Sequence, residues 1–324
     1  MQEPLVSVHM ITYNHEPYIR KAIECVLAQK TNFPFELVIG EDCSTDGTRE
    51  IAFDYAKRYP DVIRVITSEY NVGMMNNTFR TSMACRGRYI AYCEGDDYWH
   101  HPEKLQKQVD YMETHPHCGL VCSDYDCYSP NGALAAGNDF KSSGRTLAPS
   151  PGIHDILAGN GDILTCTVLA RRNLIETIIQ KDPYLHQSGR FKMGDTQIWA
   201  ELSLQATTFR IRESLATHLI LEESATQSTD KSKVLRFWIS NAEMCLYLCD
   251  KHNLDPQLKE GHIRNWRRKM LKLAFLEKKS DLAEIARNKY PGLSLKDWGW
   301  YWGTKNLLIR QVVLLLNALL KKDE

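Results

Sequence analysis

The chain has 324 residues, enough for one large domain or two ordinary ones, with 43% hydrophobic and 25% charged residues, as in a soluble globular protein. Lys plus Arg and Asp plus Glu both total 40, so the formal net charge is zero, which gives no general attraction to nucleic acid or anionic lipid and leaves either to local patches. Ten cysteines are scattered and nothing before Leu5 resembles a signal peptide, so reduced thiols in a cytoplasmic protein are expected.

Leu5 to Ile11 is an apolar, partly β-branched run and reads as a buried strand. Glu16 to Gln29 places Ile19, Ile23, Val26 and Leu27 at helical spacing. The alternation continues with strands predicted at 35–39, 62–66, 89–93 and 119–122. Helices are predicted at 46–58, 74–85 and 102–114, the last with Pro102 in its first turn. Such alternation predicts βαβ units and a mainly parallel sheet, an α/β fold. Residues 129–152 are rich in Ser, Gly, Pro and Asn and read as a long loop. Mixed helical and strand-like pieces follow to about Leu221. Helices are then predicted at 234–250, 258–277 and 280–289. The expected division is 1–225 and 226–324. Cys118, Cys122 and Cys127 lie near His115 and His117, but the spacing is not that of common zinc sites and Leu120 and Val121 read as strand core.

In an open parallel sheet, ligands bind beyond the carboxyl ends of the strands. Four such ends carry polar runs here: Thr12 to Glu16, Glu41 to Thr48, Asn71 to Gly73, and Glu94-Gly95-Asp96-Asp97. Three carboxylates within four residues repel one another unless a cation sits among them, and oxygen ligands favour Mg2+ or Mn2+. Taken singly, each run has a plain structural explanation. Ser44 to Thr48 suits a turn and helix cap, and Glu94 to Asp97 suits a solvated turn. Their order on successive strands is what carries information.

The stretches VSVHMITYNHEPYIRKAIECVLAQ, ELVIGEDCSTDGT, NVGMMNN and GRYIAYCEGDDYW resemble family 2 glycosyltransferases of the GT-A fold. The resemblance covers the first 125 residues well and reaches more loosely to about 228. It implies a Rossmann-like catalytic domain that binds a nucleotide-sugar donor, with a helical C-terminal region after it. It implies nucleotide contacts from Ile11, Thr12, Tyr13, Asn14, Glu16, Asp42, Asn71, Gly73 and Asp96. Among these, Tyr13 packs on the base, Asp42 hydrogen-bonds it and Asp96 lies near ribose and metal. Asp97, with Asp96, is implied as the holder of a divalent metal, Mn2+ or Mg2+, that bridges the diphosphate. Asp195, at the start of a predicted helix containing Ile198, Leu202 and Leu204, is implied as the base of an inverting transfer; its plain reading is an N-cap. Gly161 to Thr167 resembles the segment facing donor sugar and acceptor, or is an ordinary strand. One departure stands out. Relatives carry Tyr-Arg and then His after the base, whereas leucines take the Arg and His places in Leu215 to Ser224 here. Either the loop shifts so that His218 serves the diphosphate, or that contact is missing.

The acceptor implied is a saccharide, free or lipid-linked. Trp298, Trp300, Tyr301 and Trp302 precede an apolar run from Leu307 to Leu320 that ends in Lys321-Lys322. The run is shorter than the ~20 residues needed to span a bilayer. It suits peripheral contact with the inner membrane face through 298–322, or equally a packing or dimer helix. Arg264, Arg267, Arg268, Lys269 and Lys272 read mainly as a solvated helix face, with anion binding as the minority reading. Two other functions stay open: a nucleotidyltransferase, disfavoured because Thr12 to Pro17 holds no glycine or lysine, and a sugar-nucleotide-binding protein without turnover.

Overall fold

The computed structural model describes residues 3–133, 148–221 and 228–320, with the side chains of 317–320 left aside. The chain forms two compact units, Met1–Arg190 with Gly194–Leu221, and Phe191–Met193 with Glu222–Glu324. The division expected at 225 falls in 222–227, outside the described residues, as do much of the predicted loop at 129–152, Glu222 to Ser224 and Lys321-Lys322.

In the first unit the elements run β1 (Val6–Thr12), α1 (Ile19–Leu27), β2 (Phe35–Glu41), α2 (Thr48–Arg58), β3 (Ile63–Ile66), α3 (Met74–Ala84), β4 (Tyr89–Tyr92), β5 (Tyr98–Trp99), α4 (Lys104–Thr114) and β6 (Cys118–Tyr128). Then come α5 (Ile153–Ala158), a 3₁₀ turn (Thr165–Thr167), β7 (Leu169–Arg171), α6 (Arg172–Lys181), α7 (Pro183–His186), α8 (Thr196–Leu202) and β8 (Thr207–Leu219). One eight-stranded sheet results, in the order β3-β2-β1-β4-β7-β6-β8-β5.

β1 lies between β2 and β4 and pairs parallel with both. Both its faces are covered: Val6, Val8 and Met10 are buried on one side, Ser7 and His9 on the other. That is why it reads as a near-continuous apolar run. β3 extends the parallel set beside β2, and the crossover helices return each strand in the same direction. Beyond β4 the sheet turns mixed. β7 is antiparallel to β4 and β6, and β6 is parallel to the long β8. β6 outruns its predicted four residues because Ser123, Asp124 and Tyr125, polar as they look, are buried by β8. β8 alternates polar and apolar residues and is interrupted by register shifts opposite β6 between Ser123 and Tyr125, so no single period reveals it. Segment 161–167 contains a 3₁₀ turn rather than a strand.

The second unit is helical: α9 (Lys231–Lys251), α10 (Pro256–Glu277), α11 (Ser280–Lys289), α12 (Leu295–Lys305) and α13 (Leu307–Leu320). Its core contains Leu246, Trp266, Leu271, Leu273 and Tyr301. Arg267 departs from the expected solvated face. It is buried, donating to the Tyr290 and Pro291 carbonyls at 3.3 and 3.0 Å with Asp297 3.7 Å away. Both carbonyls accept from one terminal nitrogen and the Asp297 carboxylate offsets the buried charge, while Nε has no hydrogen-bond partner; the sequence around Arg267 does not reveal these neighbours.

Candidate active site

The carboxyl ends of β2, β1 and β4 lie side by side, which places the acidic runs on both flanks of β1. The loops after β1 and β2 each turn through a residue in the left-handed region, Asn14 (φ 54°) and Cys43 (φ 58°). Asn tolerates that conformation best among non-glycines. Its own groups tie the two loops together: the Asn14 amide donates to Ser44 Oγ at 3.1 Å, and its Oδ1 accepts from the Thr45 amide at 2.9 Å. Glu16 accepts from the Gly47 amide at 2.9 Å, and its own amide donates to Asp46 at 3.1 Å. Asn14 and Glu16 therefore act on the frame of the rim. Tyr13 beside them is 42% exposed, its ring open to a ligand.

On the β2 flank the acids are fully engaged. Buried Glu41 accepts from the Ser44 amide at 2.6 Å, Arg49 at 2.6 Å and Thr67 at 2.9 Å. Burial alone would raise its pKa, but these donors outweigh burial and hold it below the usual carboxylate value. Asp42 accepts from the Val72 and Gly73 amides at 2.9 and 3.0 Å, with Arg80 at 3.5 Å. Gly73 is bent to φ +85° at the head of α3, and its amide also donates to Asn71 Oδ1 at 2.9 Å. Asp42 thus fastens the Asn71–Gly73 loop to the β2 end.

On the β4 flank the acids crowd. Glu94 is pushed well above the usual carboxylate pKa, first by burial, then by the charges of Asp97, Asp96 and Asp195. Asp96 is raised by burial and by Asp97, with His15 Nε2 3.8 Å from its Oδ2 acting in the opposite sense. Asp97, 5% exposed, accepts from the Leu219 amide at 3.0 Å and from His218 Nδ1 at 2.9 Å. The Asp97 charge raises the His218 pKa to about 9 against the opposing effect of burial. The β8 strand therefore delivers His218 to the acidic turn, where it meets Asp97. Three buried polar atoms around Gly95 have no hydrogen-bond partner: Thr12 Oγ1, His15 Nδ1 and Glu94 Oε2. A side chain at 95 would collide with the first two, its Cβ 2.6 Å from Thr12 Oγ1 and 3.0 Å from His15 Nδ1. Unpartnered buried polar atoms are costly, and a group of them at one strand end suits a ligand. Ile11 contributes backbone there, its carbonyl accepting from the Gly95 amide at 3.0 Å.

Asp195 is the N-cap of α8, accepting from the Thr196 amide at 2.6 Å, and its other oxygen accepts from the Thr165 hydroxyl at 2.6 Å. Ile198 and Leu202 face inward as expected, whereas Leu204 lies past the helix end and is exposed. Trp199 of α8 packs edge-on against Tyr92 of β4 at 5.3 Å, which fixes Asp195 near the acidic turn. His15 and Thr165 lie in the runs Thr12 to Glu16 and Gly161 to Thr167, where the sequence reading assigned neither a role, and Arg80 lies in none of the runs. Arg80 lies three residues after Asn77 on the α3 face that meets the β2 end, donating to Asn77 Oδ1 at 2.9 Å and to the Glu41 carbonyl at 2.8 Å.

Among the described residues, no three His, Cys, Asp or Glu side chains converge closely enough to ligate a metal by themselves. A hard cation held by one or two carboxylates plus phosphates needs fewer protein ligands. The crowded Asp96 and Asp97 and the orphaned Glu94 oxygen fit that chemistry.

The chain is similar to several known proteins. A Mycobacterium tuberculosis protein is 48% identical over 111 residues, 34% of this chain and 32% of that protein, so the match spans about a third of its length. The putative glycosyltransferase EpsE of Bacillus subtilis is 28% identical over 218 residues, 65% of this chain and 73% of EpsE. The UDP-Glc:α-D-GlcNAc-diphosphoundecaprenol β-1,3-glucosyltransferase WfgD of Escherichia coli is 27% identical over 187 residues, 58% of this chain and 67% of WfgD. Among solved structures, S. aureus TarS 1–349 in complex with UDP-GlcNAc superposes with a TM-score of 0.57 at 17% identity, over 92% of this chain and 79% of that one. The mannosyltransferase PcManGT of Pyrobaculum calidifontis, in complex with GDP-Man and Mn2+, gives 0.56 at 15% identity, over 98% and 88%. These superpositions support the GT-A fold. The family model for glycosyl transferase family 2 matches residues 7–176, more than half of the chain, and the chain belongs to that family.

Proposed function

We propose that the chain transfers a sugar, with inversion, from a nucleotide-sugar donor to a saccharide acceptor, either a growing glycan or a lipid-linked saccharide. A UDP-sugar is the first donor to test. The observation that carries this reading is one acidic neighbourhood holding two kinds of carboxylate. The crowded turn of Glu94, Asp96 and Asp97 and the separately held Asp195 are close enough for their charges to act on Glu94 together.

The roles follow from the chemistry. Asp195 takes the proton from the acceptor hydroxyl as its oxygen bonds to the anomeric carbon. The bond from that carbon to the diphosphate breaks, and its electron pair leaves with the diphosphate. Thr165 and the Thr196 amide hold the Asp195 carboxylate in place. Tyr13 offers a face for the base. Asp42 acts on the nucleotide by fixing the Asn71–Gly73 loop. Asp96 and Asp97 would hold Mn2+ or Mg2+, which when bound stabilises negative charge on the leaving diphosphate. His218 braces Asp97 and, protonated, adds positive charge beside the same group. A lipid-linked acceptor would place the enzyme at the cytoplasmic face of the membrane, and the acceptor in the name of WfgD is of this kind.

Product analysis with UDP-sugars, Mn2+ and an acceptor panel tests the reading. Release of free nucleoside diphosphate with a new glycosidic bond is expected. Pyrophosphate release would indicate a nucleotidyltransferase. Tight donor binding with no turnover over the whole panel would indicate a binding protein.

A further inference from the structure

The helical C-terminal unit carries an apolar surface that its described residues leave uncovered. On α13, Leu307 and Leu308 are 70% and 73% exposed, and Val312, Leu314, Leu315 and Leu316 are each more than half exposed. On α12 the rings of Trp298 and Trp302 stack 6.2 Å apart, both partly exposed, while Tyr301 between them is buried. A patch of this size marks an interaction surface. The helix is 14 residues long, about 21 Å, which is short of the ~30 Å hydrocarbon layer. Among the described residues no helix is long and apolar enough to cross a membrane, and one of this length can lie along a bilayer.

Charge beside the patch says what covers it. On α10, Arg264, Arg268 and Lys272 recur every four residues and so form one row, with Lys269 alongside and Glu260 one turn before. Burial first, then the charges of Lys272 and Arg268, lower the Lys269 pKa, so like charges crowd here. The row leads to the α12–α13 corner. Lys272 Nζ sits 5.8 Å above the Trp300 ring, Phe275 meets that ring edge-on at 4.8 Å, and the Arg310 guanidinium lies 4.1 Å over Phe275. A two-fold dimer through this face would bring two basic rows together. An anionic lipid surface neutralises them while burying the leucines, and tryptophan favours the headgroup region.

We propose that α12, α13 and the basic row of α10 form a docking surface for an anionic lipid bilayer, with α13 lying in the headgroup layer. The inference deepens the proposed function only by supplying the membrane on which a lipid-linked acceptor would be met. Its test needs no donor and no turnover, so either reading can fail without the other.

The test is co-sedimentation of the full chain with phosphatidylcholine vesicles, with and without about a third phosphatidylglycerol. Binding to the anionic vesicles that weakens with salt is expected, with little binding to neutral ones. The double variant Leu308→Ser with Leu315→Ser and the double variant Arg264→Gln with Arg268→Gln should each bind at least about tenfold more weakly. Both pairs are exposed, and unchanged melting temperatures will show that the fold survives. Wild-type protein left in the supernatant with both vesicle types overturns the proposal. So does equal binding to neutral vesicles that the arginine variant leaves unchanged. So does a dimer in light scattering that the leucine variant converts to monomer.

Discussion

The two acidic strand ends flanking β1 are built from the same residue types and end in opposite electrostatic states. After β2, Glu41 and Asp42 receive hydrogen bonds from amides, from Thr67 and from arginines, and Glu41 is held below the usual carboxylate pKa. After β4, Glu94 and Asp96 are held above it, and Glu94 Oε2 has no partner. On the proposed reading, the difference separates acids that shape the rim from acids that await a ligand. The first pair is satisfied within the protein and sets the shape of the rim. The second is left in deficit, and a cation with a diphosphate would remove the deficit.

The largest expected effect lies outside both pairs and sharpens the comparison. Asp195→Asn keeps the helix cap, since Asn caps as well as Asp, but removes the base. Transfer should fall by about 10³-fold with the melting temperature nearly unchanged, measured as kcat alongside thermal denaturation. A parallel loss of stability would make Asp195 a structural residue only.

The two flanks should then answer the same substitution with opposite signs. Glu41→Gln keeps one acceptor oxygen and so loses either the bond from the Ser44 amide or those from Arg49 and Thr67, together with the charge beside Arg49, and should cost about 2–3 kcal/mol at pH 7 by chemical denaturation. Glu94→Gln, assayed with chelator and no nucleotide, should stabilise by on the order of 1 kcal/mol. The sign follows from linkage. A carboxyl whose folded pKa lies above 4.5 contributes stability only at low pH and loses it as pH rises. The Glu94→Gln gain should therefore vanish below about pH 4.5, where the carboxyl is protonated folded or unfolded. If both variants destabilise equally, the contrast between the flanks is wrong.

The smallest effect, once solvent screening of its 37% exposed side chain is allowed for, concerns His218. Its pKa is raised from 6.5 to about 9, so the stability it contributes is fully present below 6.5 and is lost as pH rises through 9. The melting-temperature gap between wild type and His218→Gln should close across that window. A gap that does not change with pH would mean that His218 is not charged beside Asp97.

Much of this was legible because β1, β2, β4 and the helices between them carry clean periods, so the strand ends that hold Asp42, Asp96 and Asp97 could be located, and Asp195 stood at the start of a predicted helix. The electrostatic contrast was not legible. Asp97 meets His218 across 121 residues, and Asp195 meets Thr165 across 30, through strands and turns with no clear period. The burial of Glu94 and Arg267 depends on neighbours brought by the fold, while the letters around them suggest solvent. The leucines in place of the expected Arg and His gave no hint that β8 carries His218 to Asp97.

The central claim is that the crowded acids await a cation shared with a diphosphate. Melting temperatures with UDP, Mn2+ and both together, for wild type and Asp97→Asn, test it most directly, because a ligand that binds only the folded state raises the midpoint. The account predicts a wild-type shift with both ligands larger than the sum of the separate shifts, and an Asp97→Asn protein that loses this excess. A UDP shift indifferent to Mn2+, or an excess that survives in Asp97→Asn, would contradict it.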